Sequence, residues 1–439
     1  MAHFVAALSA PEAADPGRFG PKAANLAMLG HAGLPIPDGY CIDAAAYRTQ
    51  LKAAGLEQTA RGVFGSEDPA RARRCALDMK LGMMVRPLAP ELHEPLLTVY
   101  RQLTARVPGP VVVRSSALVE DRYGSSFAGQ FESYLGLENE TEFLVAVRAC
   151  WTALWCTRAL RYMATHDIDP ADTAMAVLVQ PLVAARAAGG GLSRTADGKM
   201  LINATPGLGS AIAQGEVAPD RYVLARDGTL QEAVAGPTYH AATCEHRSPV
   251  LARRPRAKPA RCLDDAQVAE LAHLLTRIEA LMDRPVEIEW ALDDAGIKLL
   301  QARPLHLQQD EENAVDDDWV RQPKLRGHPA GSGWASGRAC VVNCECELSR
   351  VAPGAVLVTK MAGPALSQVL CGVAGVVAEL GGSTSHLASL ARERGIPMVL
   401  GVTDATSSIP DGSLVAVDGV SGIVRWKPDT LPPINTGRW

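Results

Sequence analysis

Short apolar runs alternate with polar stretches along the whole chain, a pattern typical of a protein that mixes buried strands with packing helices. After residue 327 the runs have the length of short strands, and they fall at residues 339–342, 355–359, 373–378, 414–418 and 423–426. Before residue 306, helical and extended patterns alternate without a detectable repeat. We therefore predict an α/β and α+β multidomain protein, with a large unit over residues 1–305 and a small α/β domain over residues 328–427.

Acidic residues interrupt the apolar pattern between these two parts. Like charges repel each other and keep a segment hydrated and extended, so we expect a linker or hinge over residues 306–327. Residues 428–439 follow the last predicted strand and are expected to form a C-terminal tail. The acidic residues of the expected linker are Asp310, Glu311, Glu312, Asp316, Asp317 and Asp318.

The apolar run 373–378 is followed by a glycine-rich turn, and residues 387–394 beyond it have a helical pattern. Thr384 or Ser385 is suited to cap that helix, which places His386 in its first turn. Unpaired backbone amides and the positive end of the helix dipole favour an anion there and disfavour protonation of the ring. The alternative is that His386 only caps or packs, but the turn Gly381, Gly382, Ser383, Thr384, Ser385 favours a neutral imidazole that attacks phosphorus.

Composition and charge narrow the class of protein. The chain has 439 residues, of which 47% are hydrophobic, and its formal net charge is -5. That length corresponds to roughly two to four domains. No apolar run approaches the ~20 residues that span a bilayer, and the N-terminus does not have the pattern of a signal peptide. We expect a cytoplasmic protein that binds neither nucleic acid nor a membrane surface.

The cysteines show no pattern of a redox or zinc motif. There are ten, without a CxxC pair, and the only cluster is Cys340, Cys344 and Cys346 on what reads as an alternating strand. We interpret them as reduced packing residues, with a metal site as the alternative.

Polar residues stand at the end of a predicted strand in the large unit. The run 111–113 is followed by Arg114 and two serines, which suits a strand end that binds phosphate, although a surface strand can end in the same way. Downstream, residues 125–130 combine serine, glycine and glutamine, and the amides of such a loop can close over phosphates.

A second pair of strands carries acids, an amide and a cation. Glu287 and Glu289 share one face of a strand by the period-two rule, and Gln301 and Arg303 end a later apolar run. Adjacent strands would bring these side chains together. Carboxylate and amide oxygens hold Mg²⁺, and arginine binds phosphate with two nitrogens. The alternative is the polar face of an edge strand.

Together these motifs resemble the pyruvate phosphate dikinase and phosphoenolpyruvate synthase family nearly from end to end. Residues 19–26 and 32–40 are similar to its N-terminal signature, which implies that Lys22 binds phosphate. Arg114 matches the arginine of its VRSSA motif. The match of residues 125–130 to its SFAGQ motif implies nucleotide contacts at Gly129 and Gln130.

The remaining motifs extend the resemblance over both predicted parts. Residues 176–183 resemble the strand and connector along the adenine, which implies that Gln180, Pro181 and Leu182 contact the nucleotide. Residues 331–338 and 381–397 resemble the entry and phosphohistidine motifs of the second domain. The resemblance thus implies an ATP-grasp nucleotide-binding domain over residues 1–305, followed by a swivelling phosphohistidine domain.

The resemblance implies a two-step transfer of a phosphoryl group. ATP is the substrate, Lys22, Arg114 and Arg303 neutralise charge on its phosphates, and His386 takes the phosphoryl group, leaving AMP. Glu289 and Gln301, with Glu287 beside them, would hold Mg²⁺. Glycines 381 and 382 and the hydroxyl residues 383–385 would support the phosphorylated ring.

The sequence departs from the family pattern in four places. Pro21 replaces a usual glycine, Ser210 replaces a usual acid, and residues 188–194 are richer in glycine than expected. The fourth departure concerns the acceptor, because full-length dikinases continue into a TIM barrel of roughly 250 residues. The sequence ends at Trp439, so we expect no pyruvate site on it.

Three functions are compatible with the resemblance. The first is a dikinase module whose acceptor is bound by a separate subunit or protein. The second is an autonomous kinase that phosphorylates a small molecule other than pyruvate between its own two domains. The third is a phosphocarrier or regulatory protein that does not turn over.

Overall fold

The computed structural model describes residues 4–120, 127–236, 261–306 and 317–427. Its α-helices in those ranges are α1 Pro16–His31, α2 Ala44–Ala53, α3 Glu57–Arg61, α4 Pro69–Val85, α5 Pro90–Arg106, α6 Glu140–Thr152, α7 Thr157–Ala164, α8 Ser210–Ala213, α9 Asp265–Met282, α10 Asp317–Val320, α11 Ser367–Leu370, α12 His386–Arg394 and α13 Ala405–Ser408.

The β-strands of the same ranges are β1 Val5–Ala7, β2 Tyr40–Ile42, β3 Val111–Ala117, β4 Ser133–Leu137, β5 Met175–Pro181, β6 Ala187–Leu192, β7 Met200–Pro206, β8 Asp220–Leu224, β9 Leu230–Val234, β10 Val286–Asp293, β11 Gly296–Pro304, β12 Lys324–Arg326, β13 His328–Gly331, β14 Trp334–Val342, β15 Val356–Met361, β16 Gly375–Leu380, β17 Met398–Leu400, β18 Leu414–Asp418 and β19 Ile423–Lys427.

The chain forms two compact units. The first consists of residues 1–191, 206–208 and 270–305, and the second of residues 192–205, 209–269 and 306–439. The second unit therefore contains β8, β9 and nearly all of β7 in addition to the C-terminal strands. The helical and extended segments alternate in both, as the apolar pattern predicts.

A five-stranded sheet and a hairpin form the framework of the first unit. The sheet has the order β1-β2-β5-β3-β4, and its neighbouring strands are antiparallel. Helices α1 and α6 pack on it through buried residues such as Leu26 and Phe143. The hairpin β10–β11 is also antiparallel and pairs Glu289 with Gln301 and Glu287 with Arg303. Its length and apolar alternation explain why Trp290 is almost fully buried.

A break near the start of α1 fixes where that helix meets β3. Gly20 has a φ of 74°, and Pro21 starts the helical segment that follows. A Cβ on Gly20 would lie 2.3 Å from the carbonyl oxygen of Ser116. The Ser116 hydroxyl donates to the Phe19 carbonyl at 2.7 Å and accepts from the Ala23 amide at 3.2 Å. Only glycine permits this close approach, which holds the second part of α1 against the end of β3.

An eight-stranded sheet forms most of the second unit. Its order is β12-β19-β18-β14-β15-β16-β17-β13, in which β14 to β17 are parallel neighbours and the other pairs are antiparallel. The core contains Val356, Val377, Val415 and Val424, all fully buried. The five strands predicted after residue 327 are all present, whereas β12, β13 and β17 had not been predicted. Strands β7, β8 and β9 pair in antiparallel order in the same unit.

Only part of the expected linker lies within the described residues. Residues 307–316 and the tail 428–439 lie outside them. The remainder contains regular secondary structure: α10 spans Asp317–Val320, and β12 pairs with β19 at the edge of the sheet. Backbone hydrogen bonds along β12 therefore tie this segment to the second unit.

Two cysteines differ from their sequence interpretation. Cys344 and Cys346 lie beyond the end of β14, at a 3₁₀ turn, and are joined by a disulfide. The prediction that they are reduced packing residues on a strand is therefore wrong for this pair. Cys340, by contrast, is buried on β14. A backbone turn after β14 brings the two sulfur atoms together, and the alternating pattern gave no sign of it.

Length and apolar character decide whether a helix can cross a membrane. Within the described ranges, no single helix combines sufficient length with sufficient apolar character to cross a membrane. The bent pair Glu140–Trp155 and Thr157–Ala164 meets the two criteria jointly.

His328 on β13 makes the stability of the second unit dependent on pH. Burial lowers the pKa of His328 to about 4, Arg221 shifts it in the same direction, and Glu232 opposes the shift. In the unfolded chain the pKa of histidine is about 6.5, so the unfolded state binds the proton first as the pH falls. The free energy of unfolding should therefore decrease by about 3 kcal/mol between pH 6.5 and pH 4 because of this one group.

This prediction is checked by denaturant unfolding of the wild type and of His328→Gln between pH 7 and pH 4.5. The variant should lose the part of the pH dependence that His328 contributes. His31→Gln is the control, since His31 is exposed and should leave the slope unchanged. Equal slopes for wild type and His328→Gln would contradict the prediction.

Candidate functional site

Arg114 lies at the centre of a cluster of oxygen atoms in the first unit. It is the fourth residue of β3, and its side chain is 11% exposed. Its Nη2 donates to Glu289 Oε2 and to Gln301 Oε1, both at 2.9 Å, and its Nη1 donates to the Leu300 carbonyl at 2.5 Å. The predicted adjacency of the strands that carry Glu289 and Gln301 is confirmed by their pairing in β10–β11.

Arg303 and Glu287 form a buried ion pair on the same hairpin. The Arg303 Nη2 donates to Glu287 Oε2 at 3.1 Å, and the two side chains are only 8% and 7% exposed. The structure thus pairs the Glu287 carboxylate with the Arg303 guanidinium. Its role in the observed contacts is to hold the Arg303 guanidinium in place.

Lys22 reaches the end of β3 from the second part of α1. Its Nζ donates to the Ser115 carbonyl at 2.7 Å and lies 3.4 Å from Glu120 Oε2. The other Glu120 oxygen accepts from the Ala117 amide at 3.1 Å. Glu120 is 4% exposed and was missed by the sequence reasoning. The only signal was an acid three residues after a buried strand, which is too common to single out.

Gln180, Pro181 and Leu182 lie at the end of β5. Gln180 is 3% exposed, and its Nε2 donates to the Pro37 carbonyl at 3.2 Å. Pro181 and Leu182 are half-buried, and the Leu182 amide donates to the Pro110 carbonyl at 2.9 Å. The connector is therefore anchored at two points, by the side chain of Gln180 and by the backbone amide of Leu182.

Gly129 and Gln130 form the described end of the predicted serine-glycine loop, whose residues 125 and 126 lie outside the described ranges. Gly129 has a φ of 64°, so the turn favours glycine there. The Gln130 side chain is 2% exposed and donates to the Ala128 carbonyl at 3.2 Å. The backbone carbonyl of Gln130 accepts from Arg158 Nη2 at 3.2 Å. The Gln130 carboxamide is thus directed into its own turn.

Residues 381–386, here called the histidine turn, connect β16 to α12 in the second unit. Ser385 is the N-cap of α12, and its Oγ accepts from the Ala388 amide at 3.3 Å. His386 is the first helical residue and is half-buried. The predicted position of the ring in the first turn of a helix is therefore confirmed. The amides of that turn and the helix dipole favour an anion beside the ring.

Two further contacts hold the histidine turn from beneath. The Ser383 hydroxyl donates to the Pro329 carbonyl at 2.8 Å. The Arg392 Nη1 donates to the Ser383 carbonyl at 2.6 Å and to the Ala330 carbonyl at 3.1 Å, and Arg392 is 6% exposed. The sequence reasoning noted Arg392 only as part of a motif and missed this role. The sequence contained no signal for this role, because the burial of Arg392 becomes visible only in the folded chain.

The oxygen donors of the first unit suit one kind of metal ion. Glu289 and Gln301 present a carboxylate and an amide oxygen to the same guanidinium nitrogen, so the two oxygens lie close to each other. Mg²⁺ is bound through one or two carboxylates together with substrate phosphates, and this donor set fits that requirement. Within the described ranges, no group of three or more His, Cys, Asp or Glu side chains could hold a metal by itself.

The cationic residues of the first unit can bind a polyphosphate. Lys22, Arg114 and Arg303 are each held by a carbonyl or a carboxylate within that unit, which limits their side-chain freedom before a ligand arrives. His386 belongs to the second unit.

Two known domain families match this chain, one in each of its two parts. The profile of the pyruvate phosphate dikinase AMP/ATP-binding domain matches residues 17–322, and that of the PEP-utilising enzyme mobile domain matches residues 351–422. A phosphoenolpyruvate synthase of Aeropyrum pernix is 33% identical over 92% of this chain and 56% of its own length. A probable phosphoenolpyruvate synthase of Methanothermobacter thermautotrophicus is 31% identical over 93% of this chain and 61% of its own.

A bacterial relative gives the same result. The phosphoenolpyruvate synthase of Pseudomonas aeruginosa is 30% identical over 96% of this chain and 57% of its own length. The chain therefore spans between half and two thirds of the length of these relatives.

Proposed function

The chain belongs to the pyruvate phosphate dikinase family of PEP-utilising enzymes, and we propose from that membership that it transfers a phosphoryl group from ATP to its own His386 and then to an acceptor. The family fixes the coarse architecture: an ATP-grasp nucleotide-binding domain is followed by a phosphohistidine domain, as the sequence predicts. The chemistry is ATP-dependent phosphotransfer through that second domain.

The observation that carries the proposal is the position of His386 as the first residue of α12. Ser385 caps the helix, and Arg392 and Ser383 hold the preceding backbone, so the ring stands at the helix N-terminus beside the amides of the first turn. These amides can receive the oxygens of a phosphoryl group that has been transferred to the ring. A neutral imidazole in this place can act as the nucleophile.

The donor side of the reaction rests on the cations of the first unit. Lys22, Arg114 and Arg303 neutralise the charge that develops on the phosphates as the transferred group leaves. Gln180, Pro181 and Leu182 contact the nucleotide base, and Gly129 and Gln130 belong to the loop over the phosphates.

Glu289 and Gln301 are the residues that would hold Mg²⁺, which neutralises phosphate charge when it is bound. Glu287 acts on the site through Arg303, because its carboxylate pairs with that guanidinium. Arg114 contacts the same two oxygens, so its guanidinium would have to release them for Mg²⁺ to be held there.

In the first step an imidazole nitrogen of His386 forms a bond to phosphorus, and a phosphorus–oxygen bond of ATP breaks. AMP leaves, and the bridging bond between the β- and γ-phosphoryl groups then breaks as water or inorganic phosphate takes the γ-phosphoryl group, so that the β-phosphoryl group stays on the ring. In the second step an acceptor oxygen displaces the ring nitrogen at phosphorus. The phosphorus–nitrogen bond breaks, and the imidazole is regenerated.

The acceptor is proposed from the relatives. Those named above are phosphoenolpyruvate synthases, so pyruvate and phosphoenolpyruvate are the first pair to test. The two matched regions correspond to nucleotide binding and to the mobile domain. We propose that the acceptor is bound outside both, on a separate subunit or protein.

Labelled ATP tests the first step. Purified protein is incubated with Mg²⁺ and ATP that is radiolabelled at the β-phosphorus or, separately, at the γ-phosphorus. We expect acid-labile, base-stable label on the protein from the β-position and none that persists from the γ-position. Label from the γ-position alone would indicate a simple kinase, and no label from either would contradict the proposal.

A further inference from the structure

The glycines of the histidine turn are packed against a segment that is distant in sequence. The Gly381 amide donates to the Val217 carbonyl at 3.1 Å. A Cβ on Gly382 would lie 2.9 Å from Pro219 Cγ and 3.4 Å from Asn203 Oδ1. A side chain at residue 382 would therefore require the neighbouring segment to shift, so the contact depends on glycine.

A second layer supports the same contact. Gly215 has a φ of 71°, and a Cβ built on it would lie 2.3 Å from the Ala362 carbonyl oxygen. Ala362 is 1% exposed, and its own Cβ would lie 3.0 Å from a Cβ on Gly381. Ala362 thus lies close to both Gly215 and Gly381, so a side chain at residue 215 that displaces Ala362 would also disturb the histidine turn.

Asn203 contacts the histidine turn and is itself held by Asp220. It is 2% exposed, its Nδ2 lies 3.4 Å from the Asp220 carbonyl oxygen, and its Oδ1 lies 3.4 Å from Thr384 Oγ1. The Asp220 carboxylate is anchored in turn, because it accepts from the amides of Gly236 and Cys262, both at 2.7 Å. The amide group that faces Thr384 therefore belongs to a preset network.

We propose that Asn203, Gly215, Val217 and Pro219 form a docking cradle that positions the histidine turn for the phosphorylation of His386. The four residues lie within the stretch matched by the AMP/ATP-binding profile, whereas the histidine turn lies within the stretch matched by the mobile-domain profile. The cradle thus belongs to the stretch of sequence that corresponds to the nucleotide-binding part of the family. This assignment rests on the function proposed above.

The cradle acts on orientation. Nucleophilic attack requires the ring nitrogen in line with the bond that breaks, and small displacements cost rate without changing the affinity for the nucleotide. The chain before His386 is held by contacts at residues 381 and 382 and by a side-chain contact at Thr384. The last of these lies two residues from His386. The cradle residues are thus positioning residues rather than catalytic ones.

Gly215→Ala is the test variant, and Gly198→Ala is its matched control. Gly198 has a φ of 77°, close to the 71° of Gly215, but a Cβ on it would meet nothing within 4 Å. Both substitutions place alanine in the left-handed region, so their backbone strain is comparable. Only the change at Gly215 inserts a methyl group between the cradle and Ala362.

Amide hydrogen exchange reports docking without any requirement for activity. We expect peptides that cover residues 379–386 to exchange about tenfold faster in Gly215→Ala than in Gly198→Ala, because the Gly381 amide loses its acceptor more often. If Gly215→Ala does not fold, Pro219→Ala replaces it, since it removes a contact of Gly382 without adding volume. Equal exchange in test and control variants, or unprotected peptides in the wild type, would overturn the proposal.

The rate of labelling from ATP gives the functional result. In single-turnover measurements, His386 should be phosphorylated about tenfold more slowly in Gly215→Ala, with nucleotide affinity unchanged and Gly198→Ala close to wild type. Labelling of Gly215→Ala at the rate of its control would show that the contact does not serve phosphorylation. Absence of label in the wild type would refute the proposed function, while the exchange result would still decide whether the cradle exists.

Discussion

His386→Ala is expected to lose covalent labelling from ATP by at least about a thousandfold, because the nucleophile of the first step is removed. ATP should still bind with the wild-type affinity, since Lys22, Arg114 and Arg303 are contributed by the first unit. The comparison requires β-labelled ATP, separation of protein from nucleotide under basic conditions, and a parallel measurement of nucleotide affinity. A large loss of labelling with unchanged affinity is the expected result.

His93→Ala is the matched control for this experiment. His93 is an exposed histidine on α5, so it tests whether labelling depends on any accessible imidazole. His386→Gln adds a variant that keeps a side chain of similar length at the start of α12. Full labelling of His386→Ala would show that the phosphoryl group resides elsewhere, and equal losses in His93→Ala and His386→Ala would show that the effect is not specific.

Arg303→Met is expected to destabilise the protein by about 3–5 kcal/mol, because it removes the cation that pairs with the buried Glu287 carboxylate. Glu287→Leu should cost a similar amount for the converse reason. The double variant Arg303→Met with Glu287→Leu should recover most of the loss, since an apolar pair of similar volume replaces two buried charges. The measurement is the free energy of unfolding for all four proteins, treated as a double-mutant cycle.

An exposed ion pair provides the control. Arg350 Nη2 lies 2.7 Å from Asp411 Oδ2, but these side chains are 48% and 51% exposed. Arg350→Met should therefore cost at most about 1 kcal/mol. If Arg303→Met costs no more than Arg350→Met, burial of the Arg303 pair does not matter in the way argued.

The same double variant separates stability from function. If Arg303 neutralises phosphate charge, the double variant should be folded but should label His386 slowly, because a methionine cannot donate to phosphate oxygens. A folded double variant that labels at the wild-type rate would restrict Arg303 to a structural role.

The sequence predicted those features that depend on local periodicity. Alternation in residues 286–291 placed Glu287 and Glu289 on one face, and the apolar run of the next strand predicted that Gln301 would lie near them, while the register that sets Gln301 opposite Glu289 came from the structure. Glycine, hydroxyl residues and a helical pattern located His386 at the start of α12. Each of these signals is made by residues that are close together in the chain, so it can be recognised without knowledge of the fold.

What the sequence did not predict depends on contacts between distant segments. Glu120 beside Lys22, Arg392 beneath Ser383 and Asn203 against the histidine turn are ordinary residues until the chain has folded. Buried polar residues of this kind are found through their partners, and the partners are 9 to 181 residues away.

The strand order of the second unit has a consequence for how it meets other chains. β12 and β13 stand at opposite ends of the eight-stranded order, yet only Gly327 separates them in sequence. Laid flat, eight strands would hold the two ends about 34 Å apart, which one residue cannot bridge. Gly327 donates to the Gly422 carbonyl at 2.9 Å, and a Cβ on it would lie 2.4 Å from the Leu400 carbonyl oxygen.

The two edge strands of the sheet, β12 and β13, are therefore neighbours. They are joined by Gly327, where there is no room for a side chain. A sheet curled in this way offers no long unpaired margin on which a foreign strand could extend it. In the transfer proposed above, the domain leaves the phosphoryl donor before it reaches the acceptor, and its short edge strands limit the backbone on which another chain could extend the sheet.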